Sequence, residues 1–437
     1  MPINGAAPTI RARDRQILIQ ALSAGVVPRF GLQHIQVGRV QEVKAAIRDI
    51  DLIADKGSAF RLIIGEYGAG KTFLLHVIQA MAHEKRLVTI QADLAPERRL
   101  YASGGEARNL YQEAVRNLST RAKPEGGALQ SVIERFIGDS VKLAKDAGQT
   151  PESAIESRLE SLRDHVGGYD YAVVLSAYWR GHNEGNDQLK SDALRWLRGE
   201  FTTKTEARKA LGVRTIVEDE SVYDHFKLLA SFVQLAGYAG LLVILDEMVN
   251  LYKLQHAGSR NQNYEQILRI LNDVLQTSVS GFGVYMGGTP EFLMDTRRGL
   301  FSYPALQSRL GQNPFAKGGL TDFSGPVIQL SNLTPEDLHV LLEKVRKVFT
   351  SGGDSRLNIP DEAIQAFMAH CNKQLGEAYF RTPRSSVRAF VQLLSVLEQN
   401  PNENWASLFG TVPLIKDDAP ISQPEGPGDD DLTSFRL

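Results

Sequence analysis

The chain of 437 residues contains a single cysteine, Cys371. One thiol makes neither an internal disulfide nor a CxxC ligand pair, so a disulfide scaffold and a cysteine-held zinc site are both excluded. The nine histidines, among them His34, His76, His83 and His165, are scattered without ligand spacing, which leaves no structural metal to expect. Charge of one sign is lacking too. The 49 Lys plus Arg stand against 51 Asp plus Glu, for a formal charge of -2. That excludes a histone-like or tail-driven polyelectrolyte and leaves only local basic patches as a route to nucleic-acid phosphates. Long apolar runs are absent: Leu241 to Leu245 falls far short of the ~18 residues of a spanning helix. The opening MPINGAAPTIRARDRQ carries arginines with no apolar stretch behind them, unlike a signal peptide. A soluble, cytoplasmic protein without membrane contact is therefore expected. Neither a Gly-x-Ser-x-Gly elbow nor a Ser/His/Asp arrangement argues for covalent catalysis.

What remains is ordinary globular composition, 43% hydrophobic and 23% charged, with length for roughly two or three domains. Ala12 to Leu22 and Arg39 to Ala54 read as helices, the second with Val40, Val43, Ile47, Ile50 and Ile53 at helical spacing. Arg61 to Ile64 is a short apolar strand running into a glycine-rich turn; Phe73 to Met81 reads as a helix and Arg86 to Ala92 as a strand. That order opens a parallel α/β sheet. From Leu110 to about Val213 the pattern turns helical, with Leu129, Val132, Ile133, Phe136 and Leu143 on one face, and reads as an insertion. Val222 to Leu235 is a helix, and Leu241 to Leu245 and Gly283 to Gly287 are strands. Thr334-Pro335-Glu336-Asp337 is a helix start, with Pro in the first turn and acids at the positive helix end. It opens an all-helical unit over Leu338 to Phe349, Asp361 to Cys371 and Ser385 to Leu397. The expected division is an N-terminal helical arm (1–36), an α/β core (37–331) with its insertion at about 110–213, a helical unit (332–400) and an extension (401–437). Lys416 to Leu437, rich in Pro, Gly and Asp, is expected to be mobile apart from a sticky end at Phe435-Arg436-Leu437. This tail holds six acids against two bases, so the rest of the chain stands at +2.

The most specific signal is Gly65-Glu66-Tyr67-Gly68-Ala69-Gly70-Lys71-Thr72, a full GxxxxGKT match between an apolar strand and an amphipathic helix. Its glycines let backbone N–H groups converge on phosphate oxygens, and the helix directs its positive end at them. In this pattern Lys71 reaches the β- and γ-phosphates and the Thr72 hydroxyl holds Mg²⁺. ATP and Mg²⁺ are the implied ligands. A second acid is needed for the metal, and Leu241-Leu242-Val243-Ile244-Leu245-Asp246-Glu247 supplies one where a buried strand ends. Asp246 would bind Mg²⁺ through water, and Glu247 would take a proton from attacking water. Provision for water favours hydrolysis over transfer to a small molecule. In isolation such an acidic pair is as easily a solvated strand end. Thr289, after the strand ending Gly287-Gly288, could orient that water or simply cap a Thr-Pro turn. Arg309, in a segment that also holds Arg297 and Arg298, and Arg384, opening the last helix of the helical unit, are candidates to stabilise phosphoryl charge. Taken alone, each reads as a surface charge.

Lys71, Asp246-Glu247, Thr289, Arg309 and Arg384 come in the order of Walker A, Walker B, sensor 1, arginine finger and sensor 2. With Val37-Gly38-Arg39 upstream, similar to a nucleotide-base segment, the chain resembles the AAA+ ATPases, nearest their origin-recognition initiator branch. The resemblance implies an α/β core with a helical lid, Arg384 sensing the γ-phosphate from the lid, and Arg309 reaching into a neighbouring subunit of a ring-shaped homo-oligomer. Gly25-Val26-Val27-Pro28, GEYGAGKTFLL (65–75), Asp93 to Leu100 (DLAPERRL), Leu194 to Glu200 (LRWLRGE) and Gly287-Gly288-Thr289-Pro290-Glu291 are similar to the BrxD-type ATPases of bacterial BREX phage-defence islands, often found beside a large helicase. That likeness spans most of Ala12 to Leu397 and implies ATP-dependent action on or near double-stranded DNA, with a helicase or another defence protein as partner.

Lys71 and Asp246 stand 175 positions apart, farther than a minimal core of this kind needs, and the insertion accounts for the excess. It carries Trp179, Arg180, Lys190, Arg195, Trp196, Arg198, Lys204, Arg208 and Lys209, a mixture that could stack bases and hold phosphates. The plainer alternative is a helical face with core tryptophans and solvated charges. Ser259-Arg260-Asn261, expected on a loop after the acid pair, is a second DNA-contact candidate. About 40 residues follow Leu397, too few for a winged helix, so site-specific DNA reading is not expected. Two functions compete: an oligomeric ATP-hydrolysing motor or switch on DNA, and an ATP-ordered scaffold that recruits proteins. A small-molecule kinase is disfavoured by Glu247.

Overall fold

Five parallel strands, β1 (Ser58–Ile64), β2 (Leu87–Asp93), β3 (Gly240–Asp246), β4 (Phe282–Gly288) and β5 (Val327–Gln329), form one sheet in the order β2-β3-β4-β1-β5. The computed structural model describes residues 10–316, 322–351, 359–376, 378–381 and 383–408. The acidic tail from Lys416 and its Phe435-Arg436-Leu437 end lie outside the described residues.

β1, β3 and β4 are buried along their whole length, which is why they read as continuous apolar runs and not as alternating ones. Strand periodicity reappears in what each side chain touches. Ala59, Ile63, Leu242, Ile244 and Tyr285 join the core beneath the helices Val40–Ala54 and Lys71–Glu84. Phe60, Leu62, Ile64, Leu241, Val243 and Leu245 join the core on the opposite face. β5 was not expected from sequence: three residues at a sheet edge carry too little period to register.

One charge sits inside β1. Arg61 donates to both carboxylate oxygens of Asp49 (2.6 and 2.8 Å) and to the Gly325 carbonyl, and the Tyr285 hydroxyl donates to Asp49 at 2.6 Å. All three side chains are buried, and the bidentate pairing makes the burial tolerable. It also rotates the helix Val40–Ala54 from the expected apolar stripe: Asp49 faces inward with Ala46, Ile50 and Ile53, while Val40 and Ile47 face solvent.

The expected insertion is helical, but its core is not its own. The helix Glu106–Arg116 lies against β2, and Phe136, Tyr171, Trp196 and Phe232 belong to the same continuous core as Val243 and Val284 of the sheet. Leu143, placed on the buried face by sequence, is exposed; Ile137, Ser140 and Ala144 take that side of the helix Leu129–Ala147.

The described residues divide into two compact units, one built from those between Val27 and Asn332 and the other from those up to Val26 together with those from Leu333 onward. The expected arm over residues 1–36 is thereby divided. Its helix Ala12–Ser23 lies against the helices Pro335–Thr350 and Pro383–Gln399, with Arg15 Nε donating to the carbonyls of Val348 and Phe349 at 3.1 Å each. Thr334 and Asp337 close a capping box over Pro335, as the Thr-Pro-Glu-Asp start implies. Among the described residues, no helix is long and apolar enough to cross a membrane.

Candidate nucleotide-binding site

Phosphate chemistry needs free N–H donors, and the loop between β1 and the helix Lys71–Glu84 leaves them free. Gly68 (φ +77°) and Gly70 (φ +85°) take left-handed backbone that a side chain would strain. With Gly70 turned this way, the first helical bond runs from Leu74 N–H to the Gly70 carbonyl. The N–H groups of Gly68, Gly70, Lys71 and Thr72 make no hydrogen bond among the described residues. Such a run at a helix start is an anion cradle. The Lys71 ammonium lies across its own loop, donating to the carbonyls of Gly65 (2.8 Å) and Glu66 (2.9 Å). Burial lowers its pKa, against the opposing charges of Asp246, Glu247 and Glu291. Glu66 accepts from Asn332 at 3.2 Å, and Tyr67 is half-buried in the loop.

Thr72 Oγ1 donates to Asp246 Oδ2 at 2.6 Å, and Asp246 Oδ1 accepts the Glu247 N–H at 2.8 Å. β4 lies between β3, which ends in Asp246, and β1, which leads into the loop and helix that carry Thr72. It lets the carboxylate through because Gly287 has no side chain: a Cβ there would stand 2.2 Å from Asp246 Oδ1. Glu247 is held at φ +59°, a left-handed conformation uncommon for a residue with a side chain. Glu247 is exposed to solvent, though the atoms around it remove part of its hydration. Desolvation there raises its pKa, and the charges of Asp246 and Asp93 raise it further, against Lys71.

The residues fit a magnesium ion. Thr72 and Asp246 present a hydroxyl and a carboxylate, hard oxygen donors of the kind Mg²⁺ takes beside water and phosphate. Among the described residues, no group of three or more His, Cys, Asp or Glu converges on a metal position.

The register of the sheet adds a residue to which the sequence attached no role. Asp93 ends β2 directly opposite Asp246 at the end of β3. It too is exposed to solvent, with a pKa raised first by desolvation and then by Asp246, against Arg98 and Arg29. The available signal was an acid closing a strand, the same that singled out Asp246.

Of the other candidates, Thr289 caps the short helix Pro290–Met294, its oxygen accepting the Phe292 N–H at 3.4 Å. Gly38 (φ +62°) and Arg39 (φ +59°) form a left-handed turn that aims the Arg39 guanidinium at the Ala69 carbonyl, 2.9 Å away. Arg309 lies on the surface at the end of the helix Pro304–Leu310, its guanidinium bonded to Asn272 Oδ1 and the Ala305 carbonyl. Arg384 belongs to the helical unit, where its Nε donates to the Gly25 carbonyl at 2.5 Å. Arg298 turns inward, onto the Tyr252 ring and the carbonyls of Tyr252 and Leu254.

For the two DNA-contact candidates the structure matches the plainer alternatives, and the loop expected around Arg260 is a helix. Arg260 is in the first turns of the helix Ala257–Leu275, not on a loop, and is only 8% exposed, donating to the Leu254 carbonyl at 2.8 Å. The insertion's tryptophans are core residues: Trp196 is 1% exposed and bonded to the Thr215 carbonyl, and Trp179 is bonded to Glu152. Lys190, Arg195 and Lys204 are in ion pairs with Asp187, with Asp192 and Glu206, and with Glu218.

A family described as BREX system ATP-binding protein BrxC/D matches residues 10–412. With Thr72 of the glycine-rich loop bonded to Asp246 across the intervening β4, and a family match over residues 10–412, this chain belongs to the BrxC/D family of BREX system ATP-binding proteins.

Proposed function

We propose that the chain binds ATP with Mg²⁺ in the loop Gly65 to Thr72 and hydrolyses it, as an AAA+ oligomer that switches between nucleotide states. The 2.6 Å contact between Thr72 and Asp246, with Glu247 next in line, carries this reading. The free N–H groups of Gly68, Gly70, Lys71 and Thr72 receive phosphate oxygens. Lys71 leaves the carbonyls of Gly65 and Glu66 for the β- and γ-phosphates, a better home for an ammonium than two neutral acceptors. Bound Mg²⁺ would neutralise phosphate charge, held by Thr72 and Asp246. Glu247, whose raised pKa makes it a stronger base, takes a proton from water as the water oxygen attacks the γ-phosphorus. The bond to the β-γ bridging oxygen breaks, leaving ADP and phosphate. The Thr289 hydroxyl orients that water.

The strand order β2-β3-β4-β1-β5, with a helical unit beyond, supports the AAA+ assignment. A solvent-facing Arg309 supports a finger acting on a neighbouring subunit, and Arg384 is proposed as the lid's γ-phosphate sensor. Action on double-stranded DNA in phage defence rests on the family and on the resemblance to initiators. The inward folding of Arg260, Trp179 and Trp196 favours the second reading, an ATP-ordered scaffold that recruits a defence-system protein.

The deciding measurement is ATPase rate and sedimentation with and without double-stranded DNA at two salt concentrations. Lys71→Ala should lose nucleotide binding. Glu247→Gln should bind ATP but turn over about 10²- to 10⁴-fold more slowly. Unimpaired hydrolysis by Glu247→Gln removes the base assignment, and a rate indifferent to DNA selects the scaffold.

A further inference from the structure

Arg39 lies 30 positions before the residue its side chain reaches, and what it reaches is phosphate-loop backbone. Its Nη2 donates to the Ala69 carbonyl at 2.9 Å, and its Nη1 lies 3.4 Å from Glu42 Oε1. Both side chains are only 12% exposed. The turn that delivers it is specific: Gly38 and Arg39 are both left-handed, at φ +62° and +59°, and Arg39 occupies the N-cap of the helix Val40–Ala54 without capping it. A non-glycine residue held in that conformation is uncommon, and the contact it makes is with the loop.

The Ala69 carbonyl is left over by the loop's own geometry. In an uninterrupted helix it would accept the Phe73 N–H; with Gly70 at φ +85° the ladder begins one residue later. Arg39 takes the vacant position. A trans peptide is planar, with its C=O and N–H pointing in opposite directions. Holding the Ala69 oxygen on the Arg39 side therefore fixes the Gly70 N–H on the other. That N–H has no partner among the described residues and belongs to the free run ending at Thr72.

We propose that Arg39 is a positioning residue for phosphate: through the Ala69 carbonyl it sets the direction of the Gly70 N–H, and it recognises the triphosphate through the loop and not the base. The inference rests on the proposed ATP site, so its test separates the two. Binding of MgATP, MgGTP and magnesium tripolyphosphate, a probe with no base, would be measured calorimetrically for the full chain, Arg39→Ala and Arg39→Lys. Loss of one charge-assisted bond from a cradle donor predicts about tenfold weaker binding of all three by Arg39→Ala. Arg39→Lys, which keeps one donor, should recover part of the loss equally for all three. A loss confined to ATP, with tripolyphosphate unchanged, makes Arg39 a base contact and overturns the proposal, and the lysine variant draws the same distinction if the alanine variant does not fold. Unchanged binding of all three by Arg39→Ala, beside a wild type that binds them, overturns the proposal and leaves the ATP site standing. A wild-type chain that binds none of the three overturns both.

Discussion

The hydroxyl of Thr72 lies 2.6 Å from Oδ2 of Asp246 although 174 positions separate the two residues. The contact exists because β1 and β3 end at the same edge of the sheet, and because Gly287 on the intervening strand leaves room for the Asp246 carboxylate.

Gly287→Ala tests that geometry. The new methyl would meet Asp246 Oδ1, which cannot swing away without giving up Thr72 or the Glu247 N–H. The expected outcome is a loss of the Mg²⁺-dependent part of nucleotide affinity by about 10- to 100-fold, the usual cost of disturbing a metal ligand's support. Titrating nucleotide with Mg²⁺ and with EDTA separates this from general weakening. Equal losses in both would place the damage in the fold.

The acid cluster predicts a pH profile. A base must be ionised to act, so hydrolysis should fall as pH drops through the pKa of Glu247, which desolvation, Asp246 and Asp93 hold above the ordinary glutamate value. Asp93→Asn removes one of the charges raising it. The acidic limb of the rate profile should therefore move to lower pH. A limb that stays in place or moves upward would show that Asp93 does not act on Glu247.

Arg260→Ala distinguishes a structural arginine from a DNA contact. Its guanidinium is buried on the Leu254 carbonyl, so removal should cost stability, on the order of 1–3 kcal/mol, seen as a lower urea midpoint. Any DNA affinity of the wild type should keep its salt slope. A slope reduced by about one with stability intact would return Arg260 to the DNA surface.

His83 predicts acid sensitivity. It is buried against Thr89 and Ser119, and desolvation lowers its pKa to about 4. An unfolded histidine titrates near 6.5, so the unfolded chain takes up a proton first as pH falls. Stability contributed by neutral burial is present above about pH 6.5 and is lost as pH falls to about 4, by at most roughly 3 kcal/mol. Urea midpoints measured across that range should flatten in His83→Gln. A wild-type curve no steeper than the variant's would count against the assignment.

Much of the site was legible because its chemistry is local. Eight consecutive residues, Gly65 to Thr72, carry their own backbone requirements, and Asp246-Glu247 announce themselves by closing a buried strand. The parallel sheet was legible for the same reason, since strands covered on both faces must be apolar throughout. β5 was not, being too short for periodicity, and neither was Asp93, whose partner at the end of β3 is set by register alone.

By itself the sequence determined a glycine-rich loop between a strand and a helix, an acid-bearing strand and a helical C-terminal unit, because glycine placement, apolar runs and capping residues act within a few positions of themselves. The tertiary structure alone decided which charged and aromatic side chains face inward. Arg61 reads as the opening of a short strand until Asp49 and Tyr285 enclose it, and the sequence left Arg260, Trp179 and Trp196 open between a nucleic-acid surface and a core that the structure shows to be their place. It also decided that the helix Ala12–Ser23 joins the C-terminal helices. The physical reason is common to all of these. Whether a polar group can be buried depends on the partners that satisfy it, and those partners arrive from positions far along the chain.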